Sequence, residues 1–574
     1  MKKIIIALIV AAGATITFSA CNEKEFLKEV PATFLSPENA YVTEADYTMA
    51  LTGLYASFRN IYFMMRDGYH NTGHGDAQYF SGTDVIMPAR DGSYGTYMMD
   101  YLDVWLTPQC KTISNLWDDD YKLIANANAI VSRVEKSDLD ENVIKQISAE
   151  ARFFRAYTYR NLVYLFGGVP LVVEETASAK TDYVRASKQD VLEAMKTDFE
   201  LGAKNLPDIN NVAADGRVSS QVAKFFLAET LMSLGDNAGA ITNLSEIISS
   251  NNVKLMTSRF GSHKSEEGDV FWDLFRKNNQ NRSGGNTEAL WVEQFETDAT
   301  GGFNSSSNSL GFALERCANP NPWKLNDPNG ASGLLKVSGS ARASNLNCGG
   351  GGCSFLRATD WWMNELWGSD FDNDIRNSKY NVVRDCIYDN PGSKYYGESM
   401  IYGDHPSPGY VSTPWRWYPW PSKTTSPGDH PSALYLDKSN GILNGNCGIT
   451  YQDWYILRLP EVYFLRAEAY LNTGDKSKAA ADLNVVRSRA NASPCSASDV
   501  DIDYILDERA RELIYEEFRR VTLGRLGMYV SRTKAKNPYS GAQLSPHHEL
   551  WPIPYSAIEA NKDAVLKQHD GYTN

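Results

Sequence analysis

The chain has little that would let it span a membrane, hold nucleic acid or bind a catalytic metal. Beyond its first twenty residues no apolar stretch reaches the roughly 20 residues that a spanning helix needs. Acidic residues outnumber basic ones, 70 against 56, which leaves a formal charge of −14. With no basic run, nucleic acid and an anionic lipid face are disfavoured as partners. There is no His-Glu-x-x-His, no Gly-x-Ser-x-Gly and no Walker loop, and the Gly349 to Gly352 run lacks the Lys and Ser/Thr that complete a phosphate cradle. Cysteine spacing offers no paired Cys-x-x-Cys, so zinc is disfavoured. No EF-hand pattern appears either; loops rich in Asp and Asn leave a structural calcium open, and no cofactor is expected. A glycosidase needs two carboxylates at a set separation across a cleft. The acidic clusters Asp118-Asp119-Asp120, Glu266-Glu267 and Glu516-Glu517 read instead as solvated helix faces, and His547-His548 as a solvated loop.

What is present begins at the first residues. Lys2 and Lys3 precede an apolar run from Ile4 to Ile16, and Phe18-Ser19-Ala20 stands directly before Cys21. A short apolar run, a small-residue cleavage site and a cysteine at the first mature position form the pattern of a bacterial lipoprotein signal. Residues 1–20 are therefore expected to be removed and Cys21 to carry the lipid, although Phe18 stands where leucine is usual. Loss of Lys2 and Lys3 takes the charge from −14 to −16. Cys110, Cys317, Cys348, Cys353, Cys386, Cys447 and Cys495 remain, an odd number in a compartment that permits disulfides, so at least one is expected unpaired or bonded elsewhere.

Periodicity divides the mature chain into a tether (21–36), a helical region (37–253), a loop-rich stretch (254–450) and a second helical region (451–574). Ala50, Leu51, Leu54, Tyr55 and Phe58 give one face of a first helix over Ala40 to Arg59, with Ser36-Pro37-Glu38-Asn39 as its cap region. Ile61 to Gln109 has no period and reads as a long surface loop. Helical spacing returns at Leu116, Trp117, Tyr121, Ile124, Ala127 and Ile130, and again from Ile144 to Phe166. An internal repeat is the clearest organising signal. Ala228-Glu229, Gly235-Asp236, Ala240 and Leu244 match Ala467-Glu468, Gly474-Asp475, Ala479 and Leu483 at every spacing. Small residues at these intervals let two antiparallel helices close, and the glycine ends the first of them, as in a tetratricopeptide hairpin.

Aromatic residues make up 12% of the chain, and many stand in loop-like stretches where core packing does not call for them. Flat rings with a polar edge suit exposed recognition surfaces. Trp117, Trp291, Trp362 and Trp454 lie in periodic or motif-bearing segments and read as core, while Trp105 and Trp323 are flanked by polar or turn residues. Trp415-Arg416-Trp417 alternates like a strand, which would put both tryptophans on one face. The Gly349 to Gly352 run between Cys348 and Cys353 reads as a flexible tip.

In order along the chain, these residues resemble the SusD/RagB-like lipoproteins of glycan-uptake systems. Cys21-Asn22-Glu23-Lys24-Glu25-Phe26-Leu27 is similar to the family's mature start and Ala50-Leu51-Thr52-Gly53-Leu54-Tyr55 to its first helix. Trp117, Tyr121, Ile124 and Asn128 follow, then Arg152-Phe153-Phe154-Arg155-Ala156-Tyr157 leading to Gly167-Gly168-Val169-Pro170. Arg458-Leu459-Pro460-Glu461, Arg466-Ala467-Glu468 and the closing Leu550-Trp551-Pro552-Ile553-Pro554, Asn561, Gln568 and Gly571-Tyr572 complete the likeness. Two departures stand close together: the family usually has glycine where Glu517 stands and often aspartate where Thr522 stands. Glu516 is still expected to reach Arg519 or Arg520 at helical spacing.

The resemblance implies a mostly α fold, a tetratricopeptide-like helical scaffold carrying a large irregular insertion with short strands. It implies an outer-membrane lipoprotein without catalytic residues that captures oligosaccharides for a partner TonB-dependent transporter, with Glu23 and Glu25 similar to the family's surface-export signal. Family ligands sit in an aromatic arc made by the loop after the first helix and by the insertion. Those positions here hold Tyr94, Tyr97, Tyr101 and Trp105 in the loop, Phe303, Trp323, Trp415 and Trp417 in the insertion, and Arg90, Asp91 and Asn321 beside them. Capture of peptides or glycopeptides on the same scaffold, or a surface glycoside hydrolase, remain the alternatives.

Overall fold

The structure is a computed structural model that describes residues 40–64, 77–89, 106–176, 178–299, 302–305, 311–337 and 350–573. Helix α1 (Glu44–Tyr62) starts at Thr43, later than the 36–39 stretch, because Thr43 and Asp46 form a reciprocal cap in which the Asp46 carboxylate accepts the Thr43 amide at 2.7 Å. Helices α2 (Lys111–Val134) and α3 (Glu141–Phe166) agree with the periodic segments. The stretch between α1 and α2 holds, among its described residues, a helical turn at Ala77–Phe80 and strand β1 (Ile86–Pro88).

From Ile147 onward every residue of α3 except Arg152 is buried, packed against α1, α2 and α4 (Lys188–Asn205). Arg155 knits three of these helices: it donates to Asn128 on α2 at 2.7 Å and holds Asp198 on α4 with two bonds of 2.8 Å. Phe58 on α1 meets Tyr157 at 5.2 Å and Trp291 at 5.1 Å between ring centroids. Trp291, from the loop-rich stretch, thus belongs to the scaffold core; its strand β2 (Ala289–Glu293) pairs antiparallel with β4 (Trp454–Arg458). Trp117, Trp362 and Trp454 are buried as well.

The internal repeat forms two helical hairpins, α5 (Ser220–Ser233) with α6 (Asn237–Ile248), and α7 (Leu459–Asn472) with α8 (Lys476–Arg489). Gly235 (φ +89°) and Gly474 (φ +84°) take the left-handed turn after the first helix of each, and Asp236 and Asp475 cap the second. The hairpins stack through α6 and α7. Their equivalent acids are equivalently held: Arg160 grips Glu229 at 2.5 and 2.8 Å, and Arg525 grips Glu468 at 2.7 and 2.6 Å.

Between α6 and β4 the described chain has only short strands and helices of at most five residues. Besides Trp291 and the β2–β4 pairing, buried ion pairs attach it to the scaffold. Arg458 bonds Glu288, Glu512 and Glu516 at 2.6, 2.9 and 2.6 Å, and Lys423 bonds Glu516 at 2.6 Å. The reading of Glu516-Glu517 as a solvated face is therefore corrected. The helix breaks there: α9 (Ile502–Leu513) stops, Tyr515 adopts φ +63°, and α10 (Arg519–Leu526) begins afresh. Glu516 consequently turns to Arg458 instead of Arg519 or Arg520, while Glu517 takes Arg509 and Arg519. Asp120 is likewise buried, accepting from Tyr62 Oη at 2.7 Å, whereas Glu266 and Glu267 stay exposed. His548 is also buried, and burial pushes its imidazole down to about 4. Among the described residues no helix is long and apolar enough to cross a membrane.

Candidate functional site

The first loop and the insertion meet at a two-stranded sheet. Strand β1 pairs antiparallel with β3 (Leu356–Ala358), Ile86 opposite Ala358 and Pro88 opposite Leu356, and the Ala89 amide donates to Phe355 O at 2.9 Å. Ala89 is the last described residue before the 90–105 segment. Arg90, Asp91, Tyr94, Tyr97, Tyr101 and Trp105 all fall in that segment and, like Cys21, lie outside the described residues.

On its other side the chain preceding β3 is bonded to the segment that leads to Trp323. Cys353, Ser354 and Phe355 donate their amides to Arg316, Asn319 and Cys317 at 2.8, 3.0 and 3.1 Å. The glycines make this approach feasible: a Cβ on Gly352 would lie 2.2 Å from Pro320 O. Gly350 to Gly352, read from sequence as a flexible tip, is instead wedged between Glu315, Cys447 and this segment. Pairing thus joins Ala89, through Phe355, to residues 316–319.

The insertion residues separate into two groups. Trp323 lies in a 3-10 turn (Pro322–Lys324), half-buried, its indole donating to Gly352 O at 3.3 Å and the Lys324 ammonium 5.0 Å from its ring centroid. Trp415 is half-buried too, with the Arg416 guanidinium 4.7 Å from its ring centroid. Phe303 and Trp417 are core rings, 3% and 2% exposed. Phe303 stacks on Phe295 at 4.9 Å, and the Trp417 indole donates to Arg384 O at 3.2 Å. The strand expected at Trp415-Arg416-Trp417 is a 3-10 turn (Pro414–Arg416): Pro414 supplies the turn's φ, and the two tryptophans part. Asn321 is buried, and its Oδ1 meets no donor among the described residues.

Sequence reading passed over two rings here. Tyr396 and Tyr402 are 62% and 66% exposed, and neighbouring Tyr395 stacks on His405 at 4.4 Å. They hang on the Trp323 segment: Ser407 Oγ donates to Asn326 O at 2.6 Å, and Asn329 Nδ2 donates to Tyr395 Oη at 3.1 Å. Gly397 and Gly403 flank them, the same turn-residue signal that singled out Trp323. Burial opposes ionisation of Asp327, but bonds from Ser393 Oγ and the Ala331 and Asn329 amides hold its carboxyl below the usual range. Exposed ring faces beside amide and carboxylate edges suit a neutral polyhydroxylated ligand, whose C–H faces stack while its hydroxyls bond. Among the described residues no group of three His, Cys, Asp or Glu is placed to hold a metal ion.

Comparison with known proteins matches residues 287–572 to the profile described as the SusD family and residues 84–230 to one described as starch-binding associating with outer membrane. The SusD-like protein P25 of Formosa agariphila is 23% identical over 580 residues, 97% of each chain. A solved laminarin binding SusD-like protein superposes with a TM-score of 0.64 at 20% identity, over 93% of this chain and all of that one. The surface glycan-binding protein A from Bacteroides fluxus gives 0.63 at 19% identity, over 92% of this chain and all of its own.

Proposed function

This chain belongs to the SusD/RagB-like family, and from that premise we propose that it binds oligosaccharides at the cell surface and passes them to a partner TonB-dependent outer-membrane transporter. The observation that carries the reading is the junction of β1 and β3. It holds Ala89, from which the aromatic-rich first loop continues in sequence, against Phe355, whose own amide bonds the segment leading to Trp323, and Tyr396 and Tyr402 present exposed rings on the same insertion. The printed functions of similar proteins, laminarin binding and surface glycan binding, point the same way. Tyr94, Tyr97, Tyr101 and Trp105, with Arg90 and Asp91, would complete the ligand face with Trp323 and Trp415. Cys21 would carry the lipid anchor, residues 22–36 would act as a leash, and the helical hairpins would meet the transporter. The ligand is held and handed on without cleavage.

The test is to incubate the purified mature protein with a glycan array and then size the recovered glycans. Retention at unchanged length is expected, with weaker retention in Trp105→Ala and Trp323→Ala. Shortened products would identify a hydrolase instead. Retention of peptides without any glycan would establish the alternative cargo.

A further inference from the structure

A cavity of about 400 Å³ lies outside the insertion, walled by α2, by Pro170, Lys180 and Tyr183, and by Ala557, Ala560, Asn561 and Leu566 of the C-terminal segment. No residue of 254–450 lines it. Its size falls within the roughly 300–1,000 Å³ of small-molecule sites. The walls are set by bonds that need no ligand. Tyr121 Oη donates to Pro170 O at 2.8 Å, and the Asn561 side chain bonds both the amide and the carbonyl of Tyr183, each at 2.8 Å. The Asp563 amide donates to Thr181 O at 2.8 Å, closing the C-terminal wall against the same stretch.

Trp117, Tyr121 and Tyr183 give this cavity ring surface, and charges of both signs line it. Lys122 is bonded to Asp119 at 3.0 Å, and Lys180 lies 5.2 Å from the Tyr183 ring centroid. The Asp118 side chain is exposed at the cavity's edge, its carboxylate accepts no hydrogen bond from the described residues, and partial desolvation there raises its carboxyl above the usual range. Each class of occupant meets a different obstacle. A cation faces two ammonium groups, an anion faces Asp118, and a purely apolar group would strip water from that carboxylate without replacing its bonds. A pyranose ring meets none of these, since one face is apolar and its hydroxyls both donate and accept.

We infer that this cavity is a second carbohydrate site, which takes a terminal sugar unit with its apolar face on the Tyr183 side and its hydroxyls on Asp118. The inference rests on the glycan-binding reading but concerns a different surface. A second site would let one glycan chain, or two, be held at once and raise retention through effective concentration.

The experiment titrates the mature protein with laminaribiose, cellobiose, maltose and xylobiose, followed by saturation-transfer NMR and calorimetry, with indole as a purely apolar probe. Tyr183→Ala keeps the backbone bonds to Asn561, and Asp118→Asn keeps the side chain's shape. Disaccharide binding that persists in Trp323→Ala and falls about tenfold in Tyr183→Ala and Asp118→Asn is the expected result. Binding abolished by Trp323→Ala and unmoved by the other two overturns the second site while leaving the glycan-binding reading intact. Indole binding that depends on Tyr183 and that no disaccharide displaces overturns it too, and marks a socket for an apolar side chain. Failure of every form to retain either disaccharide or polysaccharide defeats both readings.

Discussion

Thr522 Oγ1 donates to Glu517 Oε1 at 2.6 Å, which joins the two positions where this chain departs from the family's usual glycine and aspartate. The same carboxylate serves Arg509 and Arg519, at 2.6 and 3.1 Å, inside the core. An aspartate at 522 would offer one negative charge to this cluster; here Glu517 offers it from the neighbouring turn. The departures thus read as an exchange of one buried charge between two positions.

Thr522→Asp alone should then place two carboxylates in contact and destabilise the fold by ~1–3 kcal/mol, and Glu517→Gly alone should cost ~3 kcal/mol or more by leaving buried guanidinium groups short of charge. The double variant should recover most of the loss. Urea denaturation of the four proteins as a double-mutant cycle measures the coupling, and strictly additive losses would reject the exchange.

Glycines in this chain do two kinds of work, and alanine substitution separates them. At Gly235 and Gly474 nothing lies within 4 Å of an added Cβ, so Gly→Ala should cost only the left-handed backbone, ~1 kcal/mol. In α10, a Cβ on Gly524 would sit 2.3 Å from Tyr164 O of α3. Gly524→Ala must push the two helices apart and should cost ~3 kcal/mol. Equal urea midpoints for Gly474→Ala and Gly524→Ala would contradict that packing.

Glu293 on β2 is buried, and burial pushes its carboxyl up to about 8, against the pull of Arg59. The unfolded chain releases this proton near the ordinary value of 4.5, so across that window the folded state holds a proton the unfolded state has lost. Its contribution to stability is full below about pH 4.5 and is lost as the pH rises to about 8, at up to ~1.4 kcal/mol per unit. Glu293→Gln keeps the neutral shape, so its stability should gain on the wild type between about pH 5 and pH 8. A pH-independent difference between the two denaturation midpoints would show that Glu293 is ionised in the fold.

How much was legible in the sequence follows from how local each determinant is. Helices α2 and α3 and the two hairpins announce themselves through spacing, because a helix face and a Gly-Asp turn are written in neighbouring residues. Burial of charge is not local. Glu516-Glu517 looks like any solvated pair until Arg458, 58 residues before Glu516 in the chain, is folded against it. Trp415-Arg416-Trp417 alternates like a strand but is none, because Pro414 starts a turn there. The aromatic positions come from the resemblance, and polar or turn flanks single out Trp323 among them; the overlooked Tyr396 and Tyr402 share such flanks. Phe303 and Trp417 are core rings because of contacts that their neighbours in sequence do not announce, with Phe295 and with Arg384.

That division supplies the sharpest test of the ligand face. The resemblance points to both Trp323 and Phe303, yet one is half-buried in a turn and the other is stacked inside the core. Trp323→Ala removes ring surface that is partly open to solvent and one indole bond to Gly352 O, so the fold should lose ~1 kcal/mol while glycan affinity drops about tenfold. Phe303→Ala opens a cavity beside Phe295 and should cost ~3–5 kcal/mol, with affinity unchanged in whatever fraction remains folded. Tyr402→Ala serves as the third arm: its ring is exposed, stability should not move, and a loss of affinity would extend the face beyond the positions chosen from sequence. Urea midpoints and glycan titrations on the same three preparations decide the matter. Should Phe303→Ala weaken binding at full stability while Trp323→Ala leaves it untouched, the face has been placed on the wrong side of the β1–β3 junction.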